Sequence, residues 1–229
     1  MVTPTELLEQ ELWTAYAEAY DQTVTKTSFY RKLQDKAFFF LNGASPVLDV
    51  ACGTGAYLER LCLTGKSGVG IDSNPEMLTY AKNKLAGFPE IELMLANSDD
   101  YNLRPREFEA ILCMNALHAF PHPLEALMLM KVHLSPGGLA IFTGPKPGSD
   151  PSILVAACRQ ELETAVGEEA FGYYMAIAAE ANSRIKTTMK TYSAEELSNI
   201  LTQDIGFRDI IHADNHSYLG QSHFVVAVR

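Results

Sequence analysis

Val47-Leu48-Asp49-Val50-Ala51-Cys52-Gly53-Thr54-Gly55-Ala56-Tyr57-Leu58 is a short apolar run that ends in a Gly-x-Gly turn and passes directly into helix-forming residues. The order predicts strand, tight turn, helix. Two glycines at the end of a strand let bare backbone approach a ligand, and the helix that follows offers unpaired N–H groups and the positive end of its dipole. Such a turn is either an ordinary connection or the seat of a nucleotide-type cofactor, and its neighbours must decide. A dinucleotide fingerprint asks for a third small residue three positions beyond the second glycine, where this chain has Leu58. That disfavours NAD and FAD. A phosphate-binding P-loop would need Gly-Lys-Ser/Thr closing a longer loop, and none occurs. What remains is a cofactor with a nucleoside and no pyrophosphate.

Downstream, Gly65 ends the first crossover helix and Ser67 to Asp72 reads as a second strand. Asp72 stands 19 positions past Gly53, close to the offset of about 20 at which an acidic side chain meets a ribose in βαβ nucleoside sites. Its carboxylate can accept hydrogen bonds from both ribose hydroxyls. The alternative is a capping aspartate, but Asn74-Pro75 already supplies the cap and first position of the next helix, which leaves Asp72 freer for a ligand. The pattern then continues with helix Glu76–Leu85, strand Ile91–Leu95, strand Phe108–Met114 and helix Leu124–Leu134. After the stop Ser135-Pro136-Gly137-Gly138 comes strand Leu139–Phe142. Five strands alternating with helices predict a parallel sheet with right-handed crossovers.

Both flanks of this unit are helical. Upstream, Thr3-Pro4-Thr5-Glu6 combines a capping box with a first-turn proline, and Leu8, Leu12, Ala15 and Ala19 recur at helical spacing. A second helix follows Ser28 and stops at Asn42-Gly43. Residues 1–43 therefore form either a lid over the cofactor mouth, with Tyr16, Tyr20, Phe29 and Tyr30 on it, or simple packing beside the sheet. Downstream, Gly144 to Asp150 reads as a long exposed connection, followed by helices from Asp150-Pro151 and from Phe171 to Ile185. Two helices exceed what one crossover needs, so residues 149–190 are expected to cap the substrate end, with Phe171, Tyr173, Tyr174 and Met175 as pocket walls or as plain packing. A last helix starts at the capping box Ser193/Glu196 and ends near Gly206, and Phe207–Ala213 and Phe224–Val228 must pair antiparallel because only a loop joins them.

Composition bounds the function. A chain of 229 residues with 47% hydrophobic content suits one domain spanning 1–229. A net charge of −10 and a pI near 5.0 argue against nucleic acid or anionic lipid as partner. Cys52, Cys62, Cys113 and Cys158 are scattered in apolar patterns, as buried free thiols of a reducing cytoplasm would be. The N-terminus carries no basic-then-apolar leader, and no apolar run approaches the ~20 residues of a membrane span. A soluble cytoplasmic protein, monomer or homodimer, is the expectation.

The motifs together resemble the class I S-adenosylmethionine-dependent methyltransferases, small-molecule type, over about Val47 to Phe142 with a weaker echo to the end. The resemblance implies a Rossmann-like α/β fold with a seven-stranded sheet of order 3-2-1-4-5-7-6, mostly parallel with one antiparallel strand. It implies S-adenosyl-L-methionine as cofactor. Ala51, Gly53 and Gly55 would pass its methionine part, with Asp49 steadying the loop or meeting the amino group. Asp72 would hold the ribose, and Ser73 and Met77 would lie beside the adenine. Where many relatives have Asp-Ala after strand three, this chain has Asn97-Ser98, unless the register shifts to Asp99; an Asn carbonyl can still accept from the adenine amino group. Tyr20 falls in a segment, Tyr16 to Asp21, similar to the one that closes over the cofactor, and Asn115 is counted with the cofactor residues.

Methyl transfer from a sulfonium asks mainly for alignment and exclusion of water. The loop Asn115 to His122 sits where the acceptor should approach. There His118 is either a general base or a structural histidine bonded to backbone. Pro121 breaks the helical presentation of His118 and His122, so no metal is expected. The absence of a Pro-Pro-aromatic sequence after Asn115 disfavours adenine or amide methylation, and no aspartate ends strand four to hold a metal. The expected activity is O-, N- or C-methylation of a small molecule, with Tyr16, Phe29, Tyr30 and Tyr174 as acceptor contacts. The alternatives are another reaction on the same cofactor, such as cyclisation, or a non-catalytic binding protein.

Overall fold

Val47–Val50 forms the central strand β1, and all four of its residues are buried because the sheet around it is covered by helices on both faces. The computed structural model describes residue 14, residues 16–185 (for 180–185 the backbone alone) and residues 190–229. The expected helix start at Thr3 to Glu6, with Leu8, Leu12 and Ala15, lies outside the described residues. The remaining strands are β2 (Gly68–Asp72), β3 (Ile91–Leu95), β4 (Phe108–Met114), β5 (Leu134–Pro145), β6 (Asp209–His216) and β7 (Ser222–Val228). They assemble in the order β3-β2-β1-β4-β5-β7-β6. Strands β1 to β5 pair in parallel and β7 runs antiparallel to both β5 and β6. The expected sheet is the observed one.

Three helices on the way between strands start at a residue whose side chain caps them. Asn74 accepts from the backbone N–H of Glu76 and Met77, both at 2.9 Å, and opens α3 (Pro75–Leu85). Asp150 caps α5 (Pro151–Val166) through Ser152, and Ser193 and Glu196 form the capping box of α7 (Ala194–Asn199). The others are α1 (Ser28–Leu41), α2 (Ala56–Cys62), α4 (Pro123–His133) and α6 (Glu168–Ile185), with residues 16–22 also helical. One core layer joins α1, α2, α3, α5 and α6 to the sheet; the other joins α4 and α7 to the opposite face.

Leu58, the residue that breaks the dinucleotide fingerprint, packs between strand glycines. A Cβ on Gly70 would fall 2.5 Å from Leu58 Cδ1, and one on Gly68 would fall 3.4 Å from Leu58 Cδ2. Close helix-to-strand approach is thus achieved with the small residues on β2 and a large one on α2. A fully buried leucine of this kind contributes about 2–5 kcal/mol relative to alanine.

Strand β5 is longer than expected at both ends. Ser135 to Gly138 is a bulge within it: Leu134 pairs with Phe108, pairing resumes with Leu139 opposite Ala110, and Gly137 and Gly138 exchange backbone bonds with Arg229. Gly144 and Pro145, expected in an exposed connection, continue the strand opposite His223 and Ser222. The antiparallel partner β7 satisfies their backbone, a long-range pairing that local composition cannot reveal. The last helix also ends differently, passing into a π-turn at Ile200–Asp204 before Gly206.

Candidate functional site

A cavity of about 1160 Å³ opens at the carboxyl ends of the parallel strands, the place where open α/β sheets bind ligands. Ala51 and Gly53 of the first turn line it, and both are left-handed, with φ of 59° and 54°. A non-glycine residue held there marks a turn that the surrounding structure over-determines. Gly55 is also left-handed, at φ 77°, and serves differently: a Cβ on it would lie 3.1 Å from Ala81 Cβ and Leu85 Cδ1. It seats α2 against α3 and does not line the cavity.

Two carboxylates face this turn. Asp49 is 2% exposed and its Oδ2 has no hydrogen-bond partner among the described residues. Burial, with a smaller push from Asp72, holds its carboxyl well above the usual carboxylate range. Asp72 accepts from Gly53 N–H at 2.8 Å through Oδ2 and from Asn74 N–H at 2.9 Å through Oδ1. Burial raises its pKa while those N–H groups pull it down. Asn74 does cap its helix, yet Asp72 is also engaged, tying the glycine turn to β2. Ser73, Met77, Asn97, Ser98 and Asn115 line the same cavity, and so does Asp99. Position alone therefore does not separate the two registers of the third motif. Asn115, at φ 54°, accepts through its side-chain oxygen from the Thr143 hydroxyl at 3.0 Å.

The opposite wall is aromatic. Tyr16, Tyr20, Phe29 and Tyr30 line it, and successive rings touch: Tyr16–Tyr20 at 5.5 Å, Tyr20–Tyr30 at 6.1 Å and Tyr30–Tyr57 at 5.7 Å between centroids. Burial pushes the Tyr20 hydroxyl up to about 12, so it stays neutral. Tyr174 is elsewhere: it lies outside the cavity, its hydroxyl donating to Glu18 at 3.2 Å. From the same helix Met175 and Ala178 line the cavity instead, joined by Cys158 of α5. Sequence reasoning missed Tyr57 and Tyr218 as lining residues. Tyr57 follows the glycine turn by two positions and was readable from that; Tyr218, left-handed at φ 55° between β6 and β7, carries no local signal.

The N-terminal segment is fastened to the domain by polar contacts. Lys84 of α3 bonds the buried Asp21 at 2.5 Å, and Asn74 Nδ2 donates to Thr14 Oγ1 at 3.0 Å. Ser28 donates through its backbone and hydroxyl to Glu161 of α5, at 2.5 and 2.7 Å.

His118 sits on the short turn Leu117–Ala119 after β4 and lines the cavity. Its Nδ1 is buried and has no partner among the described residues. Burial and then the neighbouring His223 lower its pKa to about 4, so the ring is neutral at pH 7 and its surroundings disfavour the charged form. Among the described residues no cluster of three or more His, Cys, Asp or Glu is placed to hold a metal, and all four cysteines are buried free thiols. None of the described helices is long and apolar enough to cross a membrane.

Residues 47–138 match the family model described as a methyltransferase domain. The chain is 32% identical over 134 residues to a demethylmenaquinone methyltransferase of Tropheryma whipplei, covering 56% of this chain and 55% of that protein. It is 32% identical over 102 residues to a dTDP-3-amino-3,4,6-trideoxy-alpha-D-glucopyranose N,N-dimethyltransferase of Streptomyces venezuelae, 43% of this chain and 41% of that one. The chain thus spans about half the length or less of these curated relatives. Among solved structures, magnesium protoporphyrin IX methyltransferase of Synechocystis PCC 6803 with bound SAH shares the fold, with a TM-score of 0.60 at 16% identity over 87% of this chain and 83% of that one.

Proposed function

We propose that this chain, whose residues 47–138 match a methyltransferase domain, is a class I S-adenosylmethionine-dependent methyltransferase that moves a methyl group from S-adenosyl-L-methionine to a small-molecule acceptor in the cytoplasm. The observation that carries the reading is a single cavity with two carboxylates and a glycine turn on one wall and a set of touching tyrosines on the other. At about 1160 Å³ it exceeds the ~300–1,000 Å³ typical of a single small-ligand pocket, so it has room for a cofactor and an acceptor together. The residues suit that cofactor. The unpartnered Asp49 oxygen fits the cationic amino group, and the Asp72 carboxylate, with lone pairs left after its two backbone bonds, fits the ribose hydroxyls. When bound, the cofactor supplies a methyl group on a sulfonium, which is already a good leaving group.

The chain's own work is then placement and proton handling. The left-handed turn at Ala51 and Gly53 lets backbone approach the amino-acid tail. Residues 16–30 act as the lid and α5 with α6 as the cap, so that Tyr16, Tyr30, Cys158 and Met175 exclude water and align the acceptor. His118, neutral at pH 7, accepts at its ring the proton that an acceptor hydroxyl or amine sheds as it gains the methyl. The acidic surface and the small molecules named in the relatives support a metabolite over nucleic acid as acceptor.

The test is calorimetric titration with S-adenosylhomocysteine followed by incubation with methyl-labelled cofactor and a panel of hydroxyl- and amine-bearing metabolites. Binding plus label in at least one product supports the reading. No binding sinks the cofactor assignment, and binding without transfer across a broad panel favours a different reaction on the same cofactor.

A further inference from the structure

His118 and His122 both line the acceptor end of the cavity, and a further histidine stands behind His118. His223 lies on β7 directly opposite Gly144 of β5. It is 1% exposed, and its Nδ1 is 2.8 Å from the carbonyl oxygen of Tyr192. A carbonyl only accepts, so His223 Nδ1 carries the hydrogen; burial drives its pKa down to about 4, so the ring is neutral and its Nε2 presents a lone pair. That Nε2 is buried and has no partner among the described residues, as is true of His118 Nδ1.

The two orphaned nitrogens face one small space. A Cβ built on Gly144 would lie 3.1 Å from His223 Cε1, 3.5 Å from His223 Nε2 and 3.6 Å from His118 Nδ1. A side chain at this position would press between the two rings. The backbone fastens both sides of it. Lys190 N–H donates to the His118 carbonyl at 3.3 Å, Tyr192 two residues on receives the His223 bond, and Thr191 between them lines the cavity.

Resting on the reading of His118 as proton acceptor, we infer that His223 is a positioning residue that holds His118 as the tautomer protonated on Nδ1, with Nε2 left bare toward the cavity. A donor on His118 Nδ1 meets the lone pair on His223 Nε2, directly or through one bridging water. The opposite tautomer would set two lone pairs facing each other in a dry interior, with each group buried and unsatisfied. The proton shed by the acceptor then bonds to His118 Nε2. The resulting imidazolium keeps its Nδ1 hydrogen on His223, and the chain of bonds ends at the Tyr192 carbonyl, so no proton need leave the site during the step.

Long-range nitrogen–proton NMR on protein labelled at the imidazole nitrogens, recorded both without ligand and with S-adenosylhomocysteine added, reads the tautomers directly. In the native chain His118 should be the Nδ1-protonated form. His223→Phe should lower the ratio of Nδ1–H to Nε2–H on His118 by about tenfold, the equivalent of one hydrogen bond. His223→Gln, which can still accept from His118, should restore most of it. If His223→Phe fails to fold, Gly144→Ala keeps both histidines, puts a methyl between them and should give the same drop. A His118 protonated on Nε2 in the native chain, or one indifferent to both substitutions, overturns the inference. Calorimetry with S-adenosylhomocysteine on the same samples separates the two readings. Loss of binding in the native chain would count against the cofactor and leave the tautomer result standing.

Discussion

Asp49, Asp72 and Asn97 stand at or just past the ends of three neighbouring parallel strands, whereas Tyr16, Cys158, Met175 and Tyr218 reach the same cavity from the N-terminal segment, two helices and a turn far apart in the chain. The first wall is built from backbone: left-handed turns, carboxylates tied to N–H groups, strands buried on both faces. The second is built from side chains held by packing and by a few ion pairs such as Lys84–Asp21. A wall made of backbone tolerates little change because its geometry is the binding site. One made of side chains can be re-cut for another acceptor while the scaffold stays.

The sharpest break in that comparison should come from Asp49→Asn. Removing a charge-assisted bond to the cofactor is expected to weaken S-adenosylhomocysteine binding about 30- to 100-fold, measured by calorimetry. The same change should stabilise the ligand-free protein. The folded-state pKa of Asp49 is raised above its unfolded value, so ionisation costs stability, and the native chain should weaken as pH rises from about 4. In Asp49→Asn thermal unfolding should lose that part of its pH dependence, and a midpoint lower than the native one at pH 7 would contradict the burial argument.

Gly55→Ala tests the same wall through backbone alone. A side chain at φ 77°, with Ala81 and Leu85 atoms 3.1 Å away, should cost about 1–3 kcal/mol of stability, seen as a lower denaturant midpoint with unchanged slope, and should loosen cofactor binding several-fold. The tyrosine wall should respond in the opposite sense. Tyr16→Leu is expected to raise the acceptor KM about 5- to 10-fold, the loss of one packed aromatic contact, with cofactor affinity within about twofold of native. An equal loss on both ligands would erase the distinction between the walls.

The smallest effect lies outside the cavity, where α1 meets the last two strands. Burial alone would raise the Asp214 pKa, but Lys36, the His216 N–H and His212 together hold it below its ordinary value. A depressed folded-state pKa gives stability that is complete above about pH 4 and is lost as pH falls below it. Lys36→Met should therefore leave neutral-pH activity unchanged and flatten part of the acid unfolding curve.

The backbone wall was legible from the chain and the side-chain wall in part. Strand ends, the glycine turn, the capping residues and the acidic residue that ends β2 each declare themselves within a few positions, because they depend on local dihedrals and on period-two or period-3.6 burial. Tyr174 shows where that reasoning stops. Its helix was readable, but which of Tyr173, Tyr174 and Met175 faces inward depends on helix phase, about 100° per residue, and Met175 takes the inward position. The end of β5 shows the same limit: Gly144 looks like loop until β7 pairs with it.

By itself the sequence determined the alternation of strands and helices in the nucleoside-binding half, the glycine turn and the carboxylates beside it. These are short-range consequences of where apolar runs stop and glycines begin. Only the tertiary structure decided which tyrosines meet across the cavity, that Asp72 is bonded to the glycine turn, and that His223 stands behind His118. Those contacts join residues that are distant in the chain, and no local periodicity encodes their meeting; the pairing of β7 with β5 brings the two histidines together.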